Sequence, residues 1–203
     1  MAASLEVLLQ RRQVWRLRPE PGPGRSRPTG LPALDAVLPG GGWPLAALVE
    51  ILLAFDGLGE VSLLGPLFAQ LSGEGQKVVL IGPPYLPFPP AWRQAGIVLD
   101  QVHRVDAEGR DALWAAEQCL RSGACGAVLC WPLQADDRAL RRLQWAAETG
   151  GCLGFAVRPL RLARQSSPAA WRLVIEAGSP PQLRVLKCRG GMAWPHPIPL
   201  GRC

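Results

Sequence analysis

Apolar and polar positions along the chain fall into short, fully apolar runs separated by stretches with a helical period. Ala47 to Leu53, Lys77 to Ile81, Gly126 to Trp131 and Cys152 to Val157 are apolar runs bounded by turn residues. That is the signature of strands covered on both faces, as in a mostly parallel sheet. Between them, Glu60 to Leu71, Asp111 to Ser122 and Asp137 to Thr149 place apolar residues three and four apart, which predicts amphipathic helices. In the second of these, Ala112, Ala115, Ala116, Cys119 and Leu120 form the inward face and Asp111 is the expected cap. In the third, Leu140, Leu143 and Ala147 point inward, with Arg138, Arg141 and Arg142 outward. Gln101 to Val105 adds a short strand. Trp171 to Glu176 and Gln182 to Lys187 alternate around Gly178-Ser179-Pro180-Pro181, the pattern of an antiparallel hairpin.

The ends differ from this centre. Ala3 to Arg18 has a helical period through Leu5, Leu8, Leu9, Arg12 and Arg16, widened by Val7, Val14 and Trp15, and a Pro/Gly linker at residues 19–28 follows. So short a helix is marginal alone in water, so it docks on its own core, on a second copy or on another protein. The chain thus divides into an N-terminal helical arm and linker (1–28), an α/β core (29–190) and an irregular tail (191–203). No run of apolar residues is long enough to span a membrane, and no signal-like apolar stretch begins the chain.

Charge is segregated along the chain. Residues 1–28 carry +4, residues 29–157 carry −5 and residues 158–203 carry +7, within an overall +6. Basic ends around an acidic centre point to an acidic partner, nucleic acid or protein, or to solvated arginines that confer solubility. The six cysteines include no C-x-x-C pair, and the two histidines, His103 and His196, stand at no metal-ligand spacing. Cys119, Cys125, Cys130 and Cys152 sit in apolar surroundings, as small core residues of a reduced protein do.

The stretch with most chemical content is Thr29 to Leu67. Thr29-Gly30, Leu34-Asp35, Gly40-Gly41-Gly42 and the strand Ala47 to Leu53 resemble, in order, the opening of a RecA-type ATPase core. The resemblance implies a phosphate-binding loop after that strand, with backbone N–H groups around the phosphates and a lysine to neutralise them. The chain instead reads Ala54-Phe55-Asp56-Gly57-Leu58-Gly59-Glu60, with Glu60 near the lysine position and Asp56 as a second negative charge. Repulsion in place of attraction swings each charge pair by several kcal/mol, about 4 or more at close range. Pro66 in the following helix further weakens its N-terminal anion site.

Two further parts of the apparatus are missing. A carboxylate that would activate water after Ile81 is replaced by Gly82-Pro83-Pro84-Tyr85-Leu86-Pro87-Phe88, and Val128 to Pro132 contains no aspartate to hold magnesium. The expectation is therefore no catalytic residue, no cofactor and no metal. Tyr85, Phe88 and Trp92 either stack on bases or cover the core edge.

Blocks across most of the chain carry a closer resemblance. RRQVWR at 11–16, the Pro-rich linker, TGLPALDAVLPGGGWP, the loop Asp56 to Glu60, GPPYLP at 82–87 and DALWAAEQCLRSGACGAVLCWP at 111–132 together resemble ImuA, a family of bacterial RecA-like accessory proteins of SOS-response, damage-induced mutagenesis. The resemblance implies a non-catalytic adaptor for translesion synthesis and DNA repair, cytoplasmic and nucleoid-associated. Its partners would be an ImuB-type Y-family-like protein and, through it, an error-prone replicative-type polymerase, with single-stranded DNA and RecA as further candidates. By position against RecA, Arg158 to Ser167 corresponds to a mobile DNA-binding loop, which makes Arg158, Arg161, Arg164 and Arg172 candidate phosphate contacts. Leu5, Leu8, Leu9, Arg12 and Trp15 occupy the place of the RecA subunit-linking helix and are candidates for a partner contact or homo-oligomer. The family is similar in turn to SulA, the cell-division inhibitor that binds the tubulin-like FtsZ. That gives the alternative function, with a residual nucleotide-binding enzyme as a third.

Overall fold

The computed structural model describes residues 26–200. The expected N-terminal helix, with Leu5, Leu8, Leu9, Arg12 and Trp15, lies outside the described residues.

The described chain opens with a two-residue strand, β1 (Ser26–Arg27), and a short helix, α1 (Pro32–Asp35). β1 pairs antiparallel with β2 (Trp43–Pro44). The Thr-Gly and Leu-Asp residues of this stretch do structural work. The Thr29 N–H donates to Asp35 Oδ1 at 2.9 Å, and Leu34 is fully buried. Gly30 sits at φ 83°, and a Cβ there would lie 2.4 Å from the Pro66 Cβ, so only glycine allows this approach. Trp43 anchors the ribbon, stacking edge-on against Phe155 at 5.3 Å between ring centroids.

The main sheet follows: β3 (Ala47–Leu53), α2 (Glu60–Gly73), β4 (Lys77–Ile81), α3 (Pro89–Gln94), β5 (Val102–Val105), α4 (Gly109–Arg121), β6 (Cys125–Cys130), α5 (Asp137–Gly150), β7 (Leu153–Pro159), β8 (Trp171–Glu176), β9 (Gln182–Cys188) and β10 (Trp194–Pro199). Its eight strands stand in the order β10-β9-β8-β3-β7-β6-β4-β5. From β8 to β5 every pairing is parallel; β9 and β10 extend that side antiparallel.

Every residue of β3 is buried because the sheet is covered on both faces. Val49, Ile51 and Leu53 meet Leu63, Leu64, Leu67 and Phe68 of α2 in one core. Leu48 meets Leu140, Leu143 and Ala147 of α5 and Ala116 and Leu120 of α4 in the other. Glu50, two residues on from Leu48, therefore faces the α4/α5 side, since alternate strand residues share a face.

The structure differs from the sequence expectation in specific places. The tail is not wholly irregular: Trp194–Pro199 forms β10, which the prolines disguise as loop. Strand β7 runs two residues past the expected end and carries Arg158 into the sheet. Helix α4 begins at Gly109, with Glu108 rather than Asp111 at the cap and no side-chain capping bond. Helix α5 is capped as its sequence allows, Asp136 Oδ1 accepting from the Ala139 N–H at 2.7 Å. Trp92 packs into the core 6.2 Å from Phe68, whereas Tyr85 and Phe88 project into solvent.

Candidate functional site

Six parallel strands deliver their carboxyl ends to one edge of the sheet, where ligand sites of open α/β folds gather. The loop from β3 to α2 lies there. Gly57 and Gly59 hold positive φ, 86° and 110°, which points their N–H groups inward. Both amides already have a partner. Glu60 Oε1 accepts from the Gly57 N–H at 2.9 Å, and Oε2 accepts from the Gly59 N–H at 3.1 Å. The carboxylate is 3% exposed. Glu60 therefore does more than repel a phosphate: it is the loop's own anion, seated where backbone donors and the N-terminus of α2 favour negative charge.

Around this closed loop the same edge is apolar and exposed. Phe55 follows β3, Tyr85, Leu86 and Phe88 follow β4, and Leu133 follows β6; each is more than half exposed. Between residues 82 and 90 no acidic side chain occurs, and β6 ends in Cys130, a buried thiol pushed up to about 12 by desolvation. No group of three or more acidic, histidine or cysteine side chains among the described residues is placed to hold a metal ion.

The arginine candidates divide into two pairs. Arg158 and Arg172 are 4% and 6% exposed and converge on Glu50, which is fully buried at the centre of β3. Arg158 donates to Glu50 Oε1 at 2.6 Å and to the Ala135 carbonyl at 2.5 Å. Arg172 donates through Nε to Glu50 Oε2 at 2.6 Å. Its terminal nitrogens reach the carbonyls of Leu162, Ala163 and Gln165. Neither guanidinium can reach a phosphate, so the expected role of Arg158 and Arg172 in DNA contact is corrected to a structural one. Charge repaired by charge is what lets them lie in an apolar layer.

The segment after β7 is likewise not the free loop expected from the RecA position. Leu160–Arg164 forms a 3-10 turn held by Arg172, and Lys187 Nζ donates to the Ser167 and Ala169 carbonyls at 2.7 and 2.8 Å. Burial lowers the Lys187 pKa, with help from the neighbouring Arg189 and Arg172 charges. Arg161 and Arg164 stay on the surface of this turn. The Glu50 network was missed in the sequence because one glutamate in an apolar strand and two arginines over a hundred residues away carry no local signal. Alternation in β8 and the apolar run around Glu50 were the available clues.

No family model matches the chain. The chain is similar to the cell division inhibitor SulA of Edwardsiella piscicida, 34% identical over 113 residues. That match covers 53% of this chain and 66% of the relative, slightly under two thirds of its length. Among solved structures it is similar to SulA from Pseudomonas aeruginosa, with a TM-score of 0.46 and 24% identity over 55% of this chain and 97% of that one. The sequence match overturns the expectation of an ImuA-type translesion adaptor with an ImuB-type partner and a polymerase: the similarity found is to a division inhibitor. Among the described residues no helix is long and apolar enough to cross a membrane.

Proposed function

We propose that the chain inhibits cell division by binding FtsZ, the cytoplasmic tubulin-like partner that the resemblance to SulA implies, and that it catalyses no reaction. The observation that carries this is the 34% identity to a cell division inhibitor. Support comes from the loop after β3, where Glu60 engages the amides of Gly57 and Gly59 that a nucleotide would need. In this reading the core is a RecA-type fold without its chemistry. The consecutive parallel neighbours β8-β3-β7-β6-β4 favour that ancestry. The carboxyl edge then serves as a contact surface, with Phe55, Tyr85, Leu86 and Phe88 as exposed anchors.

The test is stoichiometric. Purified chain added to polymerising FtsZ should lower light scattering in proportion to the amount added, without consuming nucleotide itself. Overproduction should turn cells into filaments. Unchanged scattering together with cells of normal length would overturn the proposal.

A further inference from the structure

Helices α4 and α5 lie side by side on one face of the sheet, their N-terminal ends following the carboxyl ends of β5 and β6. The seam between them opens into a groove of about 490 Å³. Its floor is Leu113 and Leu143, and its rim carries Trp114, Arg110 and Arg138. Trp114 is 63% exposed, and Arg110 and Arg138 are exposed with no ionic partner among the described residues. Farther along the same seam stands a second exposed tryptophan, Trp145, with the Arg121 guanidinium 5.5 Å from its ring centroid.

The seam is built rather than accidental. Glu117 is buried on α4 and takes Arg121 from its own helix at 2.5 Å and Arg142 from α5 in a closer contact. That double clamp fixes the helix spacing and consumes the only buried acid at the groove. Two tryptophans alternate with arginines along the seam, the residue types that dominate binding energy at protein interfaces.

We propose that this groove binds an acidic segment of a protein partner, an amphipathic stretch with an aliphatic side chain on Leu113 and Leu143 and carboxylates against Arg110 and Arg138. Charge decides among occupants. Residues 1–28 of this chain carry six arginines against two glutamates, so the chain's own N-terminal stretch is repelled by the rim. A nucleic acid carries a phosphate on every nucleotide and would crowd some of them against Asp136, which also lines the groove, whereas an amphipathic peptide can present its carboxylates to Arg110 and Arg138 alone. An apolar floor of this size suits a helix laid face down, read through residues one turn apart.

The experiment uses the full chain and a fluorescein-labelled helical peptide with glutamates on one face and leucines on the other, followed by anisotropy. Saturable binding is expected. It should weaken as salt rises from about 50 to about 300 mM. It should fall about tenfold in Trp114→Ala and in the Arg110→Ala, Arg138→Ala double variant, with thermal midpoints unchanged. No saturable binding, or binding that both variants retain, overturns the proposal. So does equal affinity for the same peptide with lysine in place of glutamate, or tighter binding of a single-stranded oligodeoxynucleotide. Inhibition of FtsZ is read separately, so either idea can fail alone.

Discussion

Arg172 stands opposite Glu50 in the parallel register of β8 and β3, and its Nε donates to Glu50 Oε2 at 2.6 Å in a layer closed to solvent. One carboxylate thereby binds β3 to β8, to β7 through Arg158 and, through Arg172, to the turn Leu160–Arg164. Removing Glu50 leaves two buried guanidiniums without a counter-charge, and removing Arg172 takes the donor from Glu50 Oε2 and from three carbonyls. Glu50→Ala or Arg172→Met should destabilise the fold by about 3–5 kcal/mol. Urea unfolding at neutral pH measures this, and a loss below about 1 kcal/mol would show that the network relaxes at little cost.

Arg161 and Arg164 provide the internal contrast. Both are exposed on a turn that Arg172 and Lys187 hold without them. The double variant Arg161→Ala, Arg164→Ala should unfold within about 0.5 kcal/mol of the parent. A larger change would mean that these side chains contribute to holding the turn.

Glu60 can be tested by unseating it. Glu60→Ala leaves the Gly57 and Gly59 amides unpaired in a half-closed loop, with an expected cost of about 1–3 kcal/mol. Calorimetry should detect no binding of Mg-ATP to the parent chain. Saturable binding by the parent would remove the argument that the loop is occupied by its own carboxylate.

The carboxyl edge should matter to the partner rather than to the fold. Leu86→Asp and Phe88→Asp change side chains that are 72% and 67% exposed, so thermal midpoints should hold. FtsZ affinity should drop by about tenfold or more, an interface-anchor effect. Full retention of affinity in both would move the contact elsewhere on the surface.

Thiol chemistry gives a pH signature. Burial pushes Cys130 and Cys152 up to about 12 and Cys188 up to about 11, against 9.0 for a free thiol. The folded chain holds these protons while the unfolded chain releases them, so their contribution to stability is whole below pH 9 and is lost as pH rises toward 11–12. Urea midpoints should therefore decline above about pH 9. At pH near 8, alkylation of Cys130 and Cys152 should be far slower than that of a free thiol, and unfolding should abolish the difference.

Local pattern carried much of the architecture. Ala47–Leu53 and Lys77–Ile81 were legible to the residue because full burial leaves an unbroken apolar run. Strand β10 was not, because Trp194–Pro199 pairs with β9 despite prolines that normally argue against a strand. The loop after β3 was legible for the lysine it lacks, with Glu60 near that position. What fills that absence depends on tertiary placement: a glutamate folded back onto two glycine amides, and two arginines drawn inside by a glutamate on another strand. The chain is similar to a cell division inhibitor, which is why the adaptor expectation gave way, and burial alone removes Arg158 and Arg172 from the DNA-contact candidates.

The sheet's two borders limit how this molecule can assemble. On one side, Pro197 and Pro199 take two N–H donors away from β10. On the other, β5 is four residues long, carries exposed His103 and Arg104, and pairs that arginine with Asp106. Backbone ladders between copies are thereby discouraged at both rims, which protects a chain rich in buried β-structure from cross-molecular zippering. Recognition is left to side chains displayed by turns and helices.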